Sequence, residues 1–157
     1  MPTADILPEI EASEWLNTAK PLSLADLRGK VVAVEAFQML CPGCVSHGLP
    51  QAQTIAETFR SDDVAVLGLH CVFEHHAAMT PVSLRAFLYE YRIHFPVAVD
   101  APGTGLPKTM AAWRLEGTPN LLLFDRTGRM RAKYFGQVSD MAVGAKIMAL
   151  LSESAEG

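Results

Sequence analysis

The sequence has few cysteines, no excess of basic residues and no long apolar run. Three cysteines among 157 residues favour catalysis over the disulfide framework of a small secreted domain. The net charge of -4, from 13 Lys and Arg against 17 Asp and Glu, gives no electrostatic reason to bind nucleic acid or an anionic membrane. No apolar run approaches the roughly 20 residues that cross a bilayer. The composition, with 50% hydrophobic and 19% charged residues, predicts one globular domain over 1–157.

The N-terminal stretch is acidic and carries no basic region followed by an apolar segment. As it stands it is therefore not a signal peptide. We expect a cytoplasmic protein if Met1 is the native start, and an exported one if a leader has been removed. Residues 1–12 are expected to form a loose arm ahead of the domain.

The clearest chemical signal is the Cys-x-x-Cys of residues Cys41–Cys44, which follows an apolar run over 31–37 and precedes a helical pattern. A strand that leads into such a motif and then a helix places the first sulfur at the helix N-terminus. There the unpaired N–H groups and the helix dipole stabilise a thiolate. The second sulfur can close a disulfide onto the first, so the pair predicts a dithiol that exchanges electrons with other thiols and needs no bound cofactor.

Two close cysteines are also compatible with half of a zinc site or with two inert core thiols. A zinc site needs four ligands, usually from two such pairs, and the chain has only Cys71 besides. Further possible ligands follow the second central strand at His70, Cys71, Glu74, His75 and His76. We expect this group at the rim of the site, but its spacing matches no standard metal site. No metal is therefore expected, and Cys71 is interpreted as a small buried residue.

Strand and helix patterns alternate along the chain, which predicts an α/β fold with a mixed central sheet flanked by helices. A helix should begin near Cys44, with a kink near Gly48 and Pro50. Predicted strands lie at 13–17, 31–37, 64–69, 95–99, 121–124 and 130–135, and predicted helices at 44–59, 81–91, 108–113 and 141–151.

The Cys-x-x-Cys after the first central strand, the lead-in over 24–32 and the Thr118-Pro119 pair before a later strand together resemble the thioredoxin-like superfamily. The chain looks closest to the TlpA-like and redoxin branch, which is related to AhpC/TSA proteins, over about 22–151. The resemblance implies a thioredoxin-like fold in which 81–105 forms an insertion after the second central strand.

The resemblance also implies which residues meet the substrate. It makes Pro119 the expected cis-proline, with the Thr118 backbone exposed beside the cysteines for an extended substrate segment. Leu40 stands where thioredoxins usually have Trp, and Pro42 and Gly43 replace their Gly-Pro. These three residues are expected to contact substrate and to alter redox potential and substrate range. The helix proline also comes one residue later than in thioredoxins.

Glu35 lies six residues before Cys41 inside an otherwise apolar strand. Thioredoxins commonly carry a buried acid at the matching position. Burial should raise the pKa of this carboxyl, which would let it accept and return the proton of Cys44. The alternative is a glutamate at a strand edge that reaches solvent.

The favoured function is a thiol–disulfide oxidoreductase. Cys41 would attack a substrate disulfide and Cys44 would resolve the mixed disulfide, with Glu35 moving the proton. The partners implied are a protein or small-molecule disulfide and an electron-donating reductase or thiol pool, with no nucleic acid and no membrane. The direction of electron flow is left open.

Two alternatives remain. A peroxiredoxin-like thiol peroxidase would use Cys44, because residues 42–44 resemble part of the Thr-Pro-Gly-Cys of some peroxiredoxins. However, Phe37 stands in place of a proline of that family, and Pro119 lies near where its activating Arg would be. The third possibility is a non-catalytic domain that binds a metal or a partner through the dithiol.

Overall fold

The computed structural model describes residues 5–154, and within them the chain forms six strands and four α-helices. The strands are β1 (Ala12–Leu16), β2 (Val31–Phe37), β3 (Val64–His70), β4 (Val97–Asp100), β5 (Asn120–Phe124) and β6 (Met130–Phe135). The helices are α1 (Leu49–Thr58), α2 (Pro81–Glu90), α3 (Lys108–Ala112) and α4 (Asp140–Leu151). None of these described helices combines the length and the apolar composition of a membrane-spanning segment.

The strands form one sheet in the order β1-β4-β3-β2-β5-β6. Strands β2, β3 and β4 run parallel, whereas β1, β5 and β6 pair antiparallel with their neighbours. All seven residues of β2 are buried. Its continuous apolar sequence follows from this central position, because both of its faces are covered. The predicted α/β fold with a mixed central sheet is confirmed.

Side chains of β2 alternate between two separate cores. Ala33 and Phe37 belong to the core that contains residues of α1, α2 and α4, which we call the helix layer. Val32 and Val34 belong to the core that contains α3 and the chain before β2, which we call the second layer. Because Glu35 alternates in phase with Ala33 and Phe37, its side chain enters the helix layer.

The predicted insertion over 81–105 contains α2 and β4. Strand β4 pairs parallel with β3 and antiparallel with β1, so it extends the sheet on the side away from β5 and β6. Strand β2 keeps β3 and β5 as its direct neighbours. The insertion therefore widens the sheet without changing what flanks the strand that leads to the cysteines.

The N-terminal segment differs from the sequence-based prediction. Residues 1–4 of the predicted arm lie outside the described residues. The Met130 N–H donates to the Asp5 carbonyl at 2.7 Å, and the Glu9 carboxylate accepts a hydrogen bond from the Leu24 N–H at 2.7 Å. From Asp5 onward this stretch is thus attached to the domain rather than loose. Its partners are distant in sequence, which is why local composition did not predict them.

Candidate active site

Cys41 lies at the start of the helix that follows β2. Helical backbone begins at Pro42, where the missing N–H of proline costs no intrahelical bond. Cys41 is therefore the N-cap residue, and its Sγ accepts a hydrogen bond from the Cys44 N–H at 3.3 Å. The sulfur takes the place that a serine or aspartate oxygen usually takes. The helix N-terminus favours negative charge there, so the position suits a thiolate.

Cys44 lies one turn further into the helix. It is fully buried, whereas Cys41 is half-buried, and both are free thiols. Burial, and after it the hydrogen bond with Cys41, raises the pKa of the Cys44 thiol far above that of an exposed cysteine. The two sulfurs are therefore unequal: one is accessible at a helix end, and the other is held as a protonated thiol behind it.

The loop before β5 lies against the start of the helix that carries the cysteines. The Thr118-Pro119 peptide bond is cis, as predicted, and the Thr118 carbonyl oxygen lies 3.5 Å from Cys41 Sγ. A Cβ placed on Gly43 would lie 3.2 Å from Pro119 Cδ, so the start of the helix and the proline ring are in close contact. The Thr118 backbone lies directly beside the accessible sulfur.

Apolar surface adjoins Cys41. Leu40 is 56% exposed and Pro42 is exposed, whereas Gly43 is half-buried against the ring of Pro119. Of the three residues predicted to contact substrate at the cysteines, Leu40 and Pro42 are thus available at the surface and Gly43 is partly covered.

Phe135 at the end of β6 adds an apolar surface that the sequence analysis missed. Its ring atoms would come within 3.2 Å of a Cβ on Gly117, the residue before Thr118, and its side chain is 56% exposed. An exposed aromatic ring therefore lies beside the loop that contacts Cys41. No local sequence pattern indicates this contact, because it depends on the pairing of β5 with β6.

Glu35 is buried in the helix layer, with 1% of its surface exposed. Burial raises the pKa of this carboxyl well above its ordinary value, and the charge of Cys41 raises it further. Its Oε1 has no hydrogen-bond partner among the described residues, which is uncommon for a buried carboxyl. The alternative of a strand-edge glutamate that reaches solvent is wrong.

The helix after Cys44 has an unusual first part. Residues Cys44–Gly48 are π-helical, with the Leu49 N–H bonded to the Cys44 carbonyl, and α1 follows directly. Pro50 lies in the first turn of α1 and has no N–H to donate to the preceding turn. A π-helical turn contains more residues than an α-helical one, so it accommodates the proline that comes one residue late. At the place of the predicted kink the structure has a π-helical turn.

His70 was expected at the rim of the site but is buried, with 1% of its surface exposed. Its Nε2 accepts a hydrogen bond from the Met39 N–H at 3.3 Å, and its ring centroid lies 5.1 Å from that of Phe37. Burial lowers the pKa of this imidazole to about 4. A neutral His70 therefore supports the loop that leads into Cys41.

The other members of the predicted rim are dispersed. Cys71 is fully buried in the second layer, as interpreted from the sequence, whereas Glu74, His75 and His76 are exposed. Within residues 5–154, no three His, Cys, Asp or Glu side chains are grouped so that they could hold a metal ion. Glu74 instead accepts a hydrogen bond from the Gln38 side chain at 3.5 Å.

Comparison with known proteins agrees with this geometry. A model of the AhpC/TSA family matches residues 3–133. The chain belongs to that family. A crystal structure described as a thioredoxin-like superfamily protein superimposes with a TM-score of 0.93 at 60% identity, covering 94% of this chain and 97% of that one. A thiol-disulfide isomerase from Corynebacterium glutamicum superimposes with a TM-score of 0.92 at 53% identity, covering 98% and 100%. The predicted thioredoxin-like fold of this AhpC/TSA family member is confirmed.

Curated relatives are more distant and longer. The NHL repeat-containing protein 2 of Bos taurus is 29% identical over 137 residues, which are 84% of this chain but 18% of that protein. The chain thus spans about a fifth of the length of the first curated relatives that it matches.

Proposed function

We propose that this AhpC/TSA family member is a thiol–disulfide oxidoreductase whose reacting atoms are the sulfurs of Cys41 and Cys44. The observation that carries the proposal is the inequality of the two thiols. Cys41 Sγ is accessible and caps a helix N-terminus, whereas Cys44 is buried. A dithiol that attacks a substrate disulfide and then resolves the mixed disulfide needs one accessible thiol for the attack and one protected thiol for the resolution.

In the first step the Cys41 thiolate attacks one sulfur of a substrate disulfide. A new S–S bond forms to Cys41, the substrate S–S bond breaks, and the leaving sulfur departs as a thiolate that takes a proton from solvent. The product is a mixed disulfide beside the Thr118 backbone.

In the second step Cys44 must lose its proton before it can attack. Glu35 is the candidate acceptor, because burial raises the pKa of its carboxyl towards the range of a thiol. The Cys44 thiolate then attacks Cys41 Sγ, and the second substrate thiolate leaves. The substrate disulfide has gained two electrons, and Cys41 and Cys44 have become a disulfide.

The substrate would be a protein or small-molecule disulfide that contacts the apolar surface of Leu40 and Pro42 and the backbone of Thr118. A reductase or thiol pool would return two electrons to the Cys41–Cys44 disulfide. The structural relative from Corynebacterium glutamicum that is named a thiol-disulfide isomerase supports this reaction class.

A peroxidase that acts through Cys44 has less support. Its attacking sulfur would be the buried one, and burial raises the pKa of that thiol, which lowers the fraction of thiolate available to attack peroxide.

The compartment remains part of the proposal, since it would set the direction of electron flow. In the cytoplasm the dithiol would be kept reduced and would reduce substrates, whereas after export it would work against an oxidising background. Acid trapping and alkylation of Cys41 and Cys44 in cells would measure which form predominates.

Reduction of insulin disulfides, followed by turbidity with dithiothreitol as donor, tests the reaction class. Wild type and Cys71→Ser should accelerate the reduction equally, Cys41→Ser should be inactive, and Cys44→Ser should accumulate a mixed disulfide that mass spectrometry detects. Consumption of hydrogen peroxide by Cys41→Ser, without insulin reduction by wild type, would instead support the peroxidase.

A further inference from the structure

Gly48, the last residue of the π-helical turn Cys44–Gly48, occupies an ordinary helical conformation with φ -61° and ψ -52°. Any L-residue can adopt these angles, and glycine is among the poorest residues for a helix interior. Backbone conformation therefore does not account for a glycine at this position.

The space around Gly48 does account for it. A Cβ on this residue would overlap Glu35 Oε1 and would lie 2.8 Å from Pro119 Cβ. Gly144 in α4 provides the contrast, because a Cβ there would meet no described atom within 4 Å apart from its own helix and chain neighbours. Of these two helical glycines, only Gly48 lies against the buried carboxyl.

The Glu35 carboxyl has little else to fix the position of this oxygen. Oε1 has no hydrogen-bond partner among the described residues, so its close packing against Gly48 defines its place. The π-helical turn brings residue 48 to this point, since the additional residue in the turn changes which side chain position faces β2.

We propose that Gly48 is a positioning residue for Glu35, leaving the room that holds this carboxyl beside the cysteine pair so that it can exchange a proton with Cys44. The role assigned to Glu35 rests on the proposed function. A methyl group at position 48 would displace the carboxyl or move the turn away from Pro119, and either movement would disturb the proton transfer that resolution requires.

Titratable groups of several elements share the side of the sheet on which this carboxyl lies. The charge of Cys41 acts on Glu35, and Cys44 belongs to the same helical start. On the same side of the sheet β3 carries His70, which burial keeps neutral, and β6 carries Tyr134, whose pKa burial raises. The pH dependence of resolution should therefore report mainly on Glu35 and the two thiols.

The test compares Gly48→Ala with the matched control Gly144→Ala, each alone and combined with Glu35→Gln. Stopped-flow measurements of a preformed mixed disulfide on Cys41 give the resolution rate from pH 5 to 9. Carbon-detected NMR of glutamate labelled at the carboxyl carbon follows the titration of Glu35 directly and does not depend on activity.

Gly48→Ala should slow resolution about tenfold near neutral pH, a part of the 10²- to 10⁴-fold that a positioned acid–base group usually contributes. Its pH profile should resemble that of Glu35→Gln, the double variant should be no slower than Glu35→Gln alone, and the Glu35 NMR titration should move. Gly144→Ala should match wild type in its resolution rate, its pH profile and the NMR titration of Glu35. If wild type exchanges no disulfides, the proposed function fails, whereas the NMR titration still decides whether Gly48 controls Glu35.

Additive effects of Gly48→Ala and Glu35→Gln, or an unchanged pH profile and NMR titration, would overturn the proposal. If Gly48→Ala does not fold, Glu35→Asp in the same chain shortens the acid by one methylene and should restore folding. Failure of that double variant to fold would mean that Gly48 serves its contact with Pro119 alone, and would also overturn the proposal.

Discussion

Each side of the central sheet buries one acid and one cysteine near the same end of the sheet, but the two pairs differ. In the helix layer Glu35 has an oxygen with no hydrogen-bond partner within residues 5–154, and Cys44 follows a second cysteine whose sulfur accepts its N–H. In the second layer both oxygens of Asp100 accept backbone N–H groups, from Thr109 and Met110, each at 2.8 Å.

The environment of Asp100 assigns it a structural role. Its carboxylate holds the start of α3, in the manner of an N-cap, and it also interacts with Cys71, whose pKa is raised first by burial and then by this carboxylate. The comparison predicts that a buried acid beside a buried thiol is not in itself a reactive arrangement. A reactive one needs a carboxyl that is free to exchange its proton and a second sulfur within reach.

The largest expected contrast is in thiol reactivity. In the reduced protein iodoacetamide should label Cys41 first, because its sulfur is accessible at the helix start, and should label Cys44 and Cys71 only slowly because both are buried. Peptide mass spectrometry over pH 6 to 9 measures the order. Preferential labelling of Cys71 would remove the distinction between the two layers, and preferential labelling of Cys44 would favour the peroxidase.

Glu35→Gln should separate function from folding. It keeps the shape of the side chain but removes its titration, so resolution of a Cys41 mixed disulfide should slow by about 100-fold or more while the fold is retained. Stopped-flow kinetics and circular dichroism measure the two effects. Unchanged resolution rates over pH 6 to 9 would mean that Glu35, like Asp100, has only a structural role.

Asp100→Ala should have the opposite outcome. It leaves the buried N–H groups of Thr109 and Met110 without their acceptor, which should lower the free energy of unfolding by about 2–4 kcal/mol. Resolution per folded molecule should be unchanged. Urea titration gives the stability, and Asp100→Asn, which keeps one acceptor oxygen, should lose less. A changed pH profile for Asp100→Ala would contradict the structural assignment.

The smallest expected effect concerns pH. The pKa of His70 is lowered from 6.5 to about 4, so the unfolded chain binds this proton more readily than the folded one. The contribution of His70 to the free energy of unfolding, at most about 3 kcal/mol, is present above pH 6.5 and is lost as pH falls towards 4. Burial raises the pKa values of the Glu35 and Asp100 carboxyls, and these shifts act in the opposite sense. The contribution of each carboxyl to the free energy of unfolding falls as pH rises.

His70→Gln removes this titration and can keep an acceptor for the Met39 N–H. Urea titrations at pH 4.5, 5.5 and 7 should show a weaker loss of stability on acidification than in wild type. An equal loss in both proteins would mean that His70 is not the group responsible.

The sequence predicted the parts of the site that local pattern or a family resemblance determines. The apolar run of β2 placed the cysteines at a helix start, and a lone acid in that run identified Glu35 as buried. The cis bond before Pro119 was implied by the resemblance alone, since a Thr-Pro pair in isolation favours trans.

What the sequence did not predict depends on contacts between distant segments. The role of His70 appears only when β3 lies beside the loop that contains Met39. The space around Gly48 requires β2 and the loop of Pro119 to be in place. The attachment of Glu9 to Leu24 likewise joins segments whose patterns say nothing about each other.

The sulfur cap on the helix also links the chain's redox equilibrium to its folding equilibrium. Closing the Cys41–Cys44 disulfide removes the negative charge that Cys41 can carry at the helix N-terminus, so this interaction stabilises only the reduced protein. A charge at a helix end contributes about 0.3–1 kcal/mol, and 1.4 kcal/mol corresponds to 30 mV for a two-electron couple. Where Cys41 is ionised, the cap should therefore make the protein about 6–20 mV more oxidising than the same dithiol away from a helix, and the reduced form correspondingly harder to unfold.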